Sequence, residues 1–223
     1  MNASGSKITR KIAITGILSA LAYVSVFVFH TLGLRLVPAV NFLTYDPKDI
    51  IICIAGLICG PLYGLGTSIV VSLIEMLTIS DTGFYGFIMN VFSTCSFIIP
   101  ASLFYKYKKS FSGALIGLLI GFISELIMMT LWNIIITPIY MGVERSVVVN
   151  NFLWPIVLFN MIKVGLNIAF TLILYKPIIT AFRATRLIDK TNSKFDLKST
   201  LIMCGIGLIL VGTLILTIFL LKQ

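Results

Sequence analysis

Seven apolar runs divide the chain, at about 12–33, 49–59, 61–79, 83–105, 112–136, 153–178 and 199–221, and short polar segments separate them. A helix crosses a bilayer with about 20 mostly apolar residues. Each run therefore reads as a candidate membrane span, with 49–59 short enough that it crosses only if extended by residues 46–48 or tilted inside a shielding bundle. The pattern predicts an all-α integral membrane bundle. Gly60-Pro61 marks a tight hairpin between the second and third runs. From Leu34 to Asp49 the pattern breaks around Arg35, Pro38, Asn41 and Asp46-Pro-Lys-Asp49, a connection long enough to be a binding loop or lid. Asp46-Pro47 reads as a helix start, with aspartate as N-cap and proline as the first helical residue.

Polar residues that interrupt these runs carry the chemistry. In the run from Phe152 to Tyr175, Asn160, Lys163 and Asn167 are spaced i, i+3, i+7 and share one helix face. A lysine inside a membrane helix costs about 2.5 to 3.5 kcal/mol on insertion scales, so a contact must offset it. Two expectations stand side by side: Lys163 meets a ligand, or it pairs with Glu75 or Glu125 and only locks the bundle. Glu75 lies about one turn from the outer end of its run, where snorkelling to water is an alternative. Asn90 lies two turns into the fourth run and Asn133 near the end of the fifth, beside Trp132, Pro138 and Tyr140. Glu125, near the midplane, must be neutral or partnered.

Composition agrees with the pattern: 223 residues, 58% hydrophobic, 11% charged, mean hydropathy +1.07. The net charge of +9 is not a nucleic-acid footprint, because the basic residues cluster between runs. Lys7, Arg10, Lys11, Lys106, Lys108, Lys109, Lys176, Arg183, Arg186, Lys190, Lys194 and Lys198 fall on one side if every run crosses once, and that side is the cytoplasm. The other side holds Arg35, Lys48 and Arg145 with Asp46, Asp49, Asp81 and Glu144. The N-terminus is then cytoplasmic, and the C-terminus external if the last run spans. Under this topology Glu75, Asn90, Asn133, Asn160 and Lys163 all fall in the outer half of the bundle, beneath the 34–49 loop. A polar pocket open to the outside is what solute capture needs.

Small residues suggest two close approaches. Gly113, Gly117 and Gly121 recur every four residues and imply tight helix packing. Ala13, Gly16 and Ala20 line one side of the first run, for packing within the bundle or against a partner subunit. Cys53, Cys59, Cys95 and Cys204 sit in apolar runs with only His30 to join them, so neither disulfides nor a metal site is expected. Ala20-Leu-Ala22 resembles a signal-peptidase site, but apolar residues continue beyond it and the helix reads as retained. No GxxxxGK[ST], HExxH or GxSxG occurs and no close carboxylate pair is evident, so no catalytic residues, cofactor or enzyme activity is expected.

Asp46-Pro-Lys-Asp49 leading through Gly56 to Gly60-Pro61, then Gly83, Asn90, Trp132-Asn133, Pro138, Tyr140-Met141 and above all Phe159-Asn160-Met-Ile-Lys163 resemble the substrate-binding S component of energy-coupling-factor (ECF) vitamin transporters, in particular its riboflavin-binding members. The resemblance covers about residues 10–186. It implies a six-helix S-component core over 1–186; the chain departs from that core by a basic cytoplasmic linker over 187–198 and one additional transmembrane helix over 199–223. It also implies capture of riboflavin or a related flavin at the outer face of the cell membrane, energised by a separate module of one transmembrane coupling subunit and two ATPase subunits. Asn133, Asn160 and Lys163 would then hold the flavin, with the loop near Thr44 closing over it and Asn90 and Glu75 lining the site. Ala13, Gly16 and Ala20 would meet the coupling subunit. Glu75 is more acidic than expected at its place and points to the alternative of another vitamin or precursor. A non-transport structural membrane protein, with its polar groups paired internally, is the alternative from another class.

Overall fold

The computed structural model describes residues 3–185, 187 and 197–221. The helices follow the apolar runs: α1 (Ala3–Leu32), α2 (Lys48–Cys59), α3 (Pro61–Thr78), α4 (Gly83–Tyr107), α5 (Phe111–Met141), a short α6 (Arg145–Val147), α7 (Leu153–Ala184) and α8 (Leu197–Leu221). A single 3-10 turn, Pro38–Val40, interrupts the first loop, and a π turn, Val148–Phe152, leads from α6 into α7. No strand occurs among the described residues, and the architecture is the all-α bundle that the apolar pattern predicts. The basic linker expected at 187–198 falls largely outside the described residues, as do Arg186, Lys190 and Lys194.

Six helices among the described residues are long and apolar enough to cross a membrane, and α2 is not one of them. The second of the seven apolar runs is too short to cross as a helix on its own, as its length in the sequence implies. With 12 residues α2 rises only about 18 Å, short of a hydrocarbon core about 30 Å thick. All of its residues except Ile51 and Ile58 are wholly or nearly buried, charges included. A helix enclosed on every side by protein has no lipid to match. Residues 33–47 connect α1 to α2. Gly33, at φ +57°, stops α1 and donates its N–H to Phe29 O at 3.1 Å. The loop then folds inward rather than standing free, with Leu36, Val37, Val40 and Tyr45 buried against Ile156, Phe159, Ile162 and Leu166 of α7. Its two ends are clasped by Tyr45 N–H donating to Leu34 O at 2.8 Å.

Asp46 does not cap α2. The helix begins at Lys48 with Pro47 at the N-cap position and no side-chain cap bond. The carboxylate is drawn instead to the Lys48 ammonium, 3.0 Å away, because a buried charge offers it more than an amide N–H does. At the other end of α2, Gly60 adopts φ +111° and Pro61 opens α3, the expected hairpin.

α7 is the central spanning helix: in the apolar stretch within Arg145–Ala184 67% of the residues are buried, whereas in those of α1, α3, α4, α5 and α8 only 11–33% are. The predicted glycine row on α5 seats it directly on α4. A Cβ at Gly117 would lie 2.7 Å from Ala101 O, and one at Gly121 would collide with Phe97 O. The glycines of α7 and α8 meet in the same way: a Cβ at Gly165 would meet Leu214, and one at Gly207 would meet Ala169 O and Ile173. As the register rises on α7 it falls on α8, so the two run antiparallel. α1 buries Ile14, Leu18, Ala22 and Val26 and leaves Ala13, Gly16 and Ala20 exposed, with open space where a Gly16 Cβ would stand. Among the described residues, its small-residue side is left exposed.

Candidate functional site

Two buried ammonium groups organise the half of the bundle beneath the 33–47 loop. Lys163, on the face of α7 that turns toward α2 and α4, lies 3.0 Å from Asp49 Oδ2 and donates to Ser93 Oγ at 3.2 Å. Glu125 Oε1 stands at 4.0 Å and accepts from Ser93 Oγ at 2.6 Å. The lysine's principal partner is therefore neither Glu75 nor Glu125, the two carboxylates expected from the sequence, but the second residue of α2. Asp49 is itself held on every side: Thr94 Oγ1 donates to Oδ1 at 2.6 Å, and Asn167 Nδ2 reaches Oδ2 at 3.4 Å. Tyr45 OH in turn donates to Asn167 Oδ1 at 3.2 Å, tying the loop to this cluster.

Lys48 is fully buried and bridges two carboxylates, Asp46 Oδ2 at 3.0 Å and Glu75 Oε2 at 2.9 Å. Asn90 Nδ2 donates to the other Glu75 oxygen at 2.9 Å. Glu75 is thus a cross-link between α2, α3 and α4 and does not snorkel freely. Burial on its own would raise the Asp46 carboxyl, but the Lys48 and Lys163 charges and hydrogen bonding from Lys48 together outweigh it and hold the group below the usual carboxylate range. Asp46 Oδ1 finds no hydrogen-bond donor among the described residues.

The amides of α5 and α7 are fixed by their own helices. Asn133 Nδ2 donates to Met129 O at 2.7 Å and its Oδ1 accepts from Thr137 at 2.8 Å. Asn160 Nδ2 donates to Ile156 O at 2.8 Å. Each amide plane is thereby oriented before anything binds, with hydrogen-bonding capacity left over.

Between these groups lies a two-part cavity. An outer chamber of about 340 Å³ is lined by loop residues 41–44, by Glu75, Asn90, Asn133 and Thr137, and at its rim by His30, Arg35 and Asp81. An inner chamber of about 80 Å³ is lined by Ser93, Met129, Phe159, Asn160 and Lys163. Leu43, Thr44, Asp46, Met89, Asn90 and Asn133 line both, so the second is the floor of the first. His30 approaches the exposed Asp81 to 3.7 Å across the mouth. Mixed apolar walls with a few oriented polar groups suit a small organic molecule.

The structure thus brings Thr44, Asn90, Asn133, Asn160 and Lys163 to one cavity, and Glu75 to its outer wall, where it is engaged by Lys48. Ala13, Gly16 and Ala20 lie apart from it on the outer side of α1. Sequence reasoning missed Asp49, Ser93, Thr94 and Tyr45. Ser93 and Thr94 had a signal available: they follow Asn90 by three and four residues on the same face of a membrane helix.

Residues 10–175, well over half of the chain, match the family model described as the ECF transporter substrate-specific component. The fold is similar to that of a solved S component of a bacterial ECF transporter, at 24% identity and a TM-score of 0.66, over 78% of this chain and 98% of that one. No curated protein matches the chain. The family match ends at residue 175, before α8. This multi-pass membrane protein, a substrate-binding component rather than an enzyme, belongs to the family of ECF transporter substrate-specific components.

Proposed function

We propose that the chain captures riboflavin from outside the cell, as a substrate-specific component of the RibU type. One observation supports this most directly: Asn160 and Lys163 stand one helical turn apart at the floor of the cavity, with Asn133 beside them. Asn160 Nδ2 is occupied by its own helix, which leaves Oδ1 as an acceptor. Asp49 and Ser93 take two of the three Lys163 N–H groups, which leaves one donor. An acceptor beside a donor complements the N–H and C=O of the isoalloxazine imide edge. The ring would lie between Met89, Met129 and Phe159, and the ribityl chain would extend toward Thr44, Asn90 and the outer chamber.

In this reading the loop bearing Thr44 closes over the ligand, and energy comes from a coupling transmembrane subunit and two ATPase subunits. The exposed side of α1 at Ala13, Gly16 and Ala20 is the contact for the coupling subunit, because close helix approach needs small residues and, among the described residues, nothing occupies the space around Gly16. Residues 1–186 form the binding domain, 187–198 a basic cytoplasmic linker and 199–223 an added helix, in the plasma membrane. The N-terminus is cytoplasmic and, since α8 runs antiparallel to α7, the C-terminus is external.

A second reading, another vitamin or precursor, is favoured by the carboxylates of Asp46 and Glu75 on the cavity wall. The absorbance spectrum of protein purified from riboflavin-fed cells, with mass spectrometry of the released ligand, separates the two. Bound flavin is expected. A different molecule in stoichiometric amount supports the second reading, and protein that carries no flavin after such feeding refutes the first.

A further inference from the structure

We propose that Asp49 is the positioning residue for ligand recognition, acting through Lys163 without touching the ligand; this rests on the reading of the cavity as the flavin site. Asp49 is completely buried and lines neither chamber. Its two oxygens are engaged from three directions, by Thr94 of α4, Asn167 of α7 and Lys163 itself. A lysine ammonium sits on a flexible four-carbon stem and has no preferred direction of its own. A carboxylate immobilised on one side of it, with Ser93 Oγ at 3.2 Å on another, leaves the remaining N–H for the cavity that Lys163 lines.

Glu125 is the rival for this role, and the geometry disfavours it. It is farther from the ammonium, at 4.0 Å, its Oε1 is already taken by Ser93, and its Oε2 has no hydrogen-bond partner among the described residues. Asp49 also stands between the lysine and the loop, through the Asn167–Tyr45 hydrogen bond. Tyr45 adjoins Thr44 on the cavity wall, so the seating of the loop and the aim of the ammonium depend on the same carboxylate.

The test is a double-mutant cycle on riboflavin affinity, measured by quenching of the ligand's fluorescence on full-length protein stripped of flavin. Asp49→Asn is expected to weaken binding by about 10- to 100-fold, the range for a charge-assisted hydrogen bond. In the Lys163→Met background the same change is expected to alter affinity by less than about 3-fold, because the group it positions is gone. Should Asp49→Asn fail to accumulate in membranes, Thr94→Val loosens only Oδ1 and is expected to give a smaller loss that likewise disappears beside Lys163→Met.

A purely structural role for Asp49 would lower thermal stability and affinity together and would add to Lys163→Met. Full additivity, or wild-type affinity in Asp49→Asn, overturns the inference and leaves the riboflavin reading intact. Wild-type protein that binds no riboflavin overturns both.

Discussion

Replacing Lys48 by methionine isolates the physics of the outer ion cluster. The ammonium is fully buried, with Asp46 Oδ2 at 3.0 Å and Glu75 Oε2 at 2.9 Å. Methionine fills nearly the same volume but leaves two carboxylates side by side with no counter-charge. Breaking a buried pair by removing one partner costs about 3 to 5 kcal/mol. Both carboxylates border the outer chamber, with side-chain exposures of 16% and 14%, so water relieves part of that cost and about 3 kcal/mol is expected. For a chain of this length each kcal/mol lowers the melting temperature by about 2 to 4 °C, which gives a fall of roughly 6 to 12 °C. Thermal unfolding in detergent, followed with a thiol-reactive fluorophore, reads this directly, because Cys53 and Cys59 are free and buried. The variant Lys48→Met/Glu75→Gln leaves a single carboxylate and should recover about half of the loss. Melting of Lys48→Met within about 2 °C of wild type, or no recovery in the double variant, would refute the reasoning.

Other perturbations test other parts of the molecule. Gly121→Ala drives a methyl group into Phe97 O, a backbone atom that cannot step aside; a loss of about 1 to 3 kcal/mol is expected in the same melting assay. Gly16→Leu meets open space and should leave melting within about 0.5 kcal/mol of wild type, while abolishing co-purification with a coupling subunit. Truncation after Thr185 removes α8, in whose apolar stretch only 11% of the residues are buried, and should preserve flavin binding in the remaining bundle, as read by fluorescence quenching. Asn160→Leu removes the oriented acceptor at the floor and should weaken riboflavin binding by about 10-fold, with little change in melting.

The helices were legible because an apolar run of spanning length admits little else in a membrane, and α7 declared itself through Asn160, Lys163 and Asn167 on one face. The partner of Lys163 was not legible. Asp46, Lys48 and Asp49 read as loop charges on the outer side, since counting one crossing per apolar run puts them between the first and second runs. In the fold the 33–47 loop buries Val40 and Tyr45 and carries those charges into the bundle, where Lys48 and Asp49 have no exposed surface. Charge counting along the chain cannot reveal such a re-entry, because it depends on what α7 offers the loop to pack against. Asp46-Pro47 misled for a related reason: the pair is a sound helix-start signal, but an ammonium two residues on is a stronger partner than an amide. The stripe Ala13, Gly16, Ala20 has the same appearance whether it faces inward or outward, and only the burial of Ile14, Leu18, Ala22 and Val26 decides between them.

The most direct measurement is a riboflavin titration of flavin-depleted wild-type protein and of Lys163→Met, read by quenching of the ligand's fluorescence. Saturable quenching by wild type at micromolar ligand, weakened by about 10- to 100-fold in the variant, is the predicted result. No quenching by wild type, or equal affinity in the two proteins, contradicts the claim that a buried ammonium at the floor of the cavity holds the vitamin.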